Sequence, residues 1–182
     1  MGHFTWKTAI AGAALIAGCV LTSSTALAGK GDSIDINRLL GDANDEAIQL
    51  RADAEMMASF TRSNLTWETY ATQLSMIKEH VNKTGKIVAS LTAERANGTP
   101  WQQTAIDRIH PLLREMAANT ESVISYLDKN HTRIHMKSFQ DYVQANADAA
   151  TQLSQVIGDF TDYGNTKSKL EWLAAKLELD QP

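Results

Sequence analysis

Residues 99–129 read TPWQQTAIDRIHPLLREMAANTESVISYLDK, and their spacing decides the fold. Ile106, Ile109, Leu113, Met116, Thr120, Val123 and Leu127 recur at alternating intervals of three and four residues. A mean period of about 3.5 keeps one seam of a helix turned toward its neighbours, with a small left-handed crossing. The helix start is written just ahead of the seam: Thr99 as N-cap, Pro100 at the first helical position and Gln102 as capping-box partner. Pro111 lies inside the helix, where its missing donor predicts a kink near Asp107 in one bent helix.

Three more stripes flank this one. Tyr70, Leu74, Ile77, Val81, Thr84, Val88 and Leu91 predict a helix from Trp67 to about Ala96, closed by Asn97-Gly98 with the glycine in the left-handed conformation. Downstream, Phe139, Tyr142, Asn146, Ala149, Leu153, Val156, Phe160 and Tyr163 mark a helix beginning near Met136 or Lys137. A weaker stripe, Ala43, Ala47, Leu50, Ala54 and Met57, predicts a helix from Ala43 to Arg62 with Asp42 as N-cap. The fold class is therefore all-α: an antiparallel up-down four-helix bundle with long helices and a C-terminal helical extension.

The expected organisation is a leader over 1–28, a linker and short separate helix over 29–41, the bundle over 42–164 and a helical extension or cap over 165–182. Lys7, the apolar and small-residue run Thr8–Leu21, and Ala26-Leu27-Ala28 form the three regions of a cleaved secretory signal. Within it, Leu15-Ile16-Ala17-Gly18-Cys19 offers an alternative, a lipobox in which Cys19 is lipidated and anchors the chain to a membrane. The expected location is the periplasm, or the membrane surface for a lipoprotein, with no transmembrane span in the mature chain.

With 182 residues and a hydrophobic fraction of 43%, the chain suits one globular domain. Three prolines and ten glycines leave the region beyond the leader nearly free of helix breakers. The net charge of −4, and the lack of a Lys/Arg stripe interleaved with aromatics, argue against nucleic acid as a partner.

Candidate chemistry is sparse. Asp107 and His110 have the spacing of half a carboxylate-bridged metal site, but no second acid-x-x-His completes it. His80 and His110 both fall on helix flanks, about six residues or 9 Å apart along the axis once layers are matched across Asn97-Gly98. His131 and His135 are four apart but lie in an expected turn. These five residues are the weak candidates for the alternative function, a small periplasmic metal- or haem-binding bundle. No metal site is assigned and no cofactor is expected. The absence of C-x-x-C-H excludes covalent c-type haem, and no phosphate loop, G-x-S-x-G or H-E-x-x-H sequence is present. The chain is expected not to be an enzyme.

The last stripe continues past Gly164-Asn165 through Lys167, Leu170, Ala174 and Leu177. Layer matching sets Gly164 level with Trp101, so a straight helix would overhang the bundle by about ten residues, or about 15 Å. Leu170, Trp172, Leu173 and Leu177 cannot then all be covered. Either the chain bends at Gly164 and packs over the bundle end, or these four residues meet a protein partner or a second copy.

The run WQQTAIDRIHPLL (Trp101–Leu113), with Lys78-Glu79-His80 and Asp162-Tyr163-Gly164, resembles a group of uncharacterised exported bacterial helical-bundle proteins. The resemblance implies export and a helical fold, and it brings no activity or site residue. The expected function is a non-catalytic exported bundle, a cell-envelope scaffold or partner-binding module.

Overall fold

The computed structural model describes residues 31–63 and 65–179. The expected leader, with Cys19, lies outside them. Four helices make the fold: α1 (Ile34–Phe60), α2 (Trp67–Glu94), α3 (Pro100–Lys129) and α4 (Lys137–Lys176), with no strand among the described residues. Short 3₁₀ turns, Arg95–Asn97 and His131–Arg133, lie between α2 and α3 and between α3 and α4. Each helix packs on two others, in the order α1, α2, α3, α4 and back to α1. Side-chain bonds crossing these pairs rise in number on one helix as they fall on the other: Gln73 to Asp53 and His80 to Glu46 on α2 and α1, Thr161 to Leu40 and Thr151 to Glu55 on α4 and α1.

The stripes of α2 and α3 are buried at every position named above. α3 runs unbroken through Pro111, and its capping box closes with the Thr99 amide donating to Gln102 Oε1 at 2.9 Å. In α1 the stripe from Ala43 to Met57 is fully buried as well.

The start of α1 departs from expectation. There is no separate short helix ending at Gly41: α1 begins at Ile34, Ser33 is its N-cap, and Ser33 Oγ accepts from the Ile36 amide at 3.4 Å. A glycine inside a helix costs about 1 kcal/mol against alanine. Burial of Ile36 and Leu40, at 0 and 1% exposure, outweighs it. Asp42 is not a cap; it pairs with Arg38 one turn back at 3.1 Å.

Gly98 does not take the left-handed conformation. Its φ is −78° and ψ 157°, ordinary extended backbone. A Cβ there would stand 2.9 Å from Ile36 Cδ1 and 3.1 Å from Gln102 Cβ, so glycine is needed for close approach of α1 to the turn.

α4 corrects the phase of its stripe. Tyr142 and Tyr163 are exposed, at 45 and 52%, while Val143, Ala150, Ile157 and Gly164 are buried one residue later. The seam thus runs Phe139, Val143, Asn146, Ala150, Leu153, Ile157 and Gly164. Asn146 is fully buried; its Oδ1 accepts from Thr120 Oγ1 at 2.9 Å while its Nδ2 has no partner.

Candidate functional site

One end of the bundle gathers the start of α1, the α2–α3 turn and the last third of α4. Gln102, fully buried in the first turn of α3, is its hub. Its Oε1 accepts from the amides of Thr99 and Ser33, and its Nε2 donates to Ser33 O at 2.9 Å and Asn37 Oδ1 at 2.8 Å. Every polar valence of the amide that burial would otherwise penalise is thereby used.

Asp32 completes the clasp, with its side chain 7% exposed. Thr99 Oγ1 and Trp101 Nε1 each donate to Asp32 Oδ1 at 2.8 Å, and Lys167 Nζ reaches Oδ2 at 3.0 Å. Burial pushes this carboxyl's pKa up, but the hydrogen bonds from Lys167, Trp101 and Thr99 and the Lys167 charge outweigh it, so the net shift is downward. Lys167 also meets Glu171, and the two carboxylates hold its pKa above the ordinary lysine value.

Trp101 lies edge-on to Tyr163, with ring centroids 5.1 Å apart, and rests on Gly164. A Cβ at Gly164 would come within 2.8 Å of Trp101 Cη2. The expected level match of these two residues is thus a contact. Gly164 is a seat for the indole, and of the two alternatives for the chain beyond it, a bend or an extension, α4 is helical through Gly164 to Lys176.

Beyond the clasp, residues 168–179 form the exposed tail. Leu170, Trp172 and Leu177 are 57, 59 and 60% exposed, and Leu173 is half-buried. Leu179, missed because it lies past the last stripe position, is equally open. The corrected seam of α4 continues through Lys167, Glu171 and Ala174, of which Ala174 alone is apolar and buried. Leu170 and Leu177 therefore lie off the seam. The helix ends in a Schellman motif: Leu179 N donates to Ala174 O at 3.0 Å and Glu178 N to Ala175 O at 3.4 Å, with Glu178 at φ 55°.

The histidines are dispersed. His80 is enclosed by α1, its Nδ1 2.7 Å from Glu46 Oε2 and its Nε2 3.5 Å from Asp53 Oδ2. Gln73 Nε2 holds Asp53 from below, donating to both its backbone and side-chain oxygens at 3.1 Å. Glu46 and Asp53, and likewise Gln73 and His80, are seven residues apart, so this polar ladder is a heptad lane beside the apolar one. Asp107 is held by Arg95 in a two-pronged pair, both bonds 2.7 Å, which keeps its carboxyl below the usual range. His110 and His135 are exposed, and His131 stacks on Trp67 with centroids 4.2 Å apart. No group of three or more metal-ligating side chains converges among the described residues. No described helix is long and apolar enough to cross a membrane.

The described chain is an all-α four-helix bundle with its last helix extended. No protein-family model, curated protein or solved structure matches it.

Proposed function

We propose that this chain is a non-catalytic exported bundle, a cell-envelope scaffold or binding module that works through the exposed tail of α4. One observation carries the reading. Leu170, Trp172 and Leu177 are each more than half exposed on a helix whose preceding turn is fixed by Lys167 to Asp32 and by Gly164 to Trp101. Apolar side chains held out on an ordered element favour a surface that covers them. Export rests on the Lys7, Thr8–Leu21 and Ala26-Leu27-Ala28 pattern, with lipidation at Cys19 as the alternative route to the same compartment.

The metal- or haem-binding alternative is less favoured: its candidates do not converge among the described residues, His80 faces Glu46 and Asp53, and Asp107 is paired with Arg95.

The test is the double variant Leu170→Gln/Leu177→Gln in the full chain. Thermal unfolding should match wild type within about 0.5 kcal/mol, as for exposed substitutions. Attachment of the protein to envelope fractions should be lost. Undiminished attachment rules out the tail as the working surface.

A further inference from the structure

Resting on that reading, we infer that the tail docks on an anionic lipid surface, lying in the interface without crossing it. At about 100° per residue, Trp172, Leu173, Leu177 and Leu170 occupy an arc of about 160°. Its centre lies nearly opposite the side of α4 that carries Gly164 and Lys167 to Trp101 and Asp32. Lys169 and Lys176 fall inside the arc, between Trp172 and Leu173. Neither has a carboxylate partner among the described residues, and Lys176 Nζ lies 4.9 Å from the Trp172 ring centroid. Among the described residues of the tail, the acidic Glu171 falls on the other side of the helix and is engaged by Lys167, and Glu178 lies past the helix end at φ 55°.

Width and charge together select the occupant. A helical partner uses a narrow seam and would cover Leu170, Leu173 and Leu177 while leaving Trp172 about 100° away. A second copy would set this face against itself, bringing Lys169 and Lys176 toward the same lysines. A bilayer interface takes the whole arc: leucines enter the acyl boundary, Trp172 sits at headgroup depth, and the lysines extend to anionic headgroups. The chain as a whole carries a net charge of −4, so attraction to such a surface has to come from the two lysines of this face and not from the overall charge.

The experiment titrates the chain with vesicles of 30 mol% phosphatidylglycerol in phosphatidylcholine, and with phosphatidylcholine alone, both carrying lipids brominated on the acyl chains. Trp172 is the reporter, and the Trp172→Phe chain supplies the background from Trp67 and Trp101, both chains starting at Gly29 so that the apolar leader run Thr8–Leu21 does not itself partition. Trp172 emission should be quenched on the anionic vesicles, with partitioning at least tenfold stronger than on the neutral ones. Lys169→Gln/Lys176→Gln should weaken partitioning about 25-fold, at about fivefold per lysine near an anionic surface. Leu170→Gln/Leu177→Gln should abolish quenching while helical circular dichroism and melting stay unchanged. Absence of Trp172 quenching, or quenching indifferent to lipid charge, overturns the lipid inference. If quenching is absent but Leu170→Gln/Leu177→Gln still dissolves a concentration-dependent oligomer in sedimentation, the tail reading survives and the lipid occupant fails. If those substitutions change neither readout nor envelope attachment, both fail.

Discussion

Asp32 receives three hydrogen bonds from Thr99, Trp101 and Lys167, in two separate helices, and this decides how it responds to pH. Its folded pKa lies below its unfolded value, the latter near 3.9 for a free aspartate. The unfolded state thus binds more protons between the two values, and stability rises with pH across that window. The contribution is complete above the unfolded value and lost as pH falls through the folded one. Asp32→Asn should cost about 1.5–3 kcal/mol at neutral pH, the range for hydrogen bonds to a charged group. The difference from wild type should shrink below about pH 4, measured by urea unfolding across pH. A difference that stays constant down to pH 2 would mean that the carboxylate charge contributes nothing there. None of this was readable in the sequence, where Asp32 sits in a polar stretch assigned to a linker. The pairing of Thr99 with Gln102 was readable because capping is local, whereas the contacts of Gln102 with Ser33 and Asn37 span 69 and 65 residues.

At the scale of the element, glycines divide by what surrounds them. Gly41 and Gly85 have open space around a built Cβ, and alanine there should stabilise by about 0.5–1 kcal/mol through helix propensity alone. Gly164→Ala gains the same propensity but drives a methyl against the Trp101 indole, which Asp32 pins by its Nε1. It should destabilise by about 1–2 kcal/mol, as overpacking does. Thermal melts of the three variants test the sign, and stabilisation by Gly164→Ala would refute the seat. At the other end of α4, Glu178 holds a positive φ that glycine adopts freely. Glu178→Gly should stabilise the last turn by about 1 kcal/mol, seen as slower exchange of the Leu177 and Leu179 amides. The same helix explains which stripes could be read. In α2 and α3 the residues that follow the stripe positions are mostly polar, Ser75, Lys78 and Asn82 in α2 and Asp107, His110, Arg114, Glu121 and Asp128 in α3, so the period fixes the phase. In α4 neighbouring lanes are both apolar, Tyr142 beside Val143, Ala149 beside Ala150, Val156 beside Ile157. Gly164, which extends the true lane, has no side chain to reveal it. Gly41 misled in the opposite sense, since a breaker inside a well-packed helix looks like an end.

Across the whole molecule, the two ends of the described chain are fastened to each other through the same turn. Asp32 precedes α1, Lys167 lies near the end of α4, and both meet the first turn of α3 through Trp101 or its hydrogen-bond partner. The clasp therefore closes the α1–α4 side of the bundle, which no loop connects, much as the α1–α2, α2–α3 and α3–α4 sides are closed by their connections. It also divides α4 into a part that holds the fold and a part that does not. A chain ending after Glu171 keeps Gly164, Lys167 and the Lys167–Glu171 pair; a chain ending after Tyr163 loses them all. The longer truncate should unfold within about 1 kcal/mol of the full chain, since it removes side chains that are mostly exposed. The shorter one should lose about 2–4 kcal/mol, because Asp32 is left buried without its cation and Trp101 without its seat. Guanidinium unfolding of both truncates measures the gap. Equal stabilities would mean that the fold does not depend on the clasp. A gap of the expected size would leave residues 172–179 without a part in stability, and their apolar side chains would then require a role outside the fold.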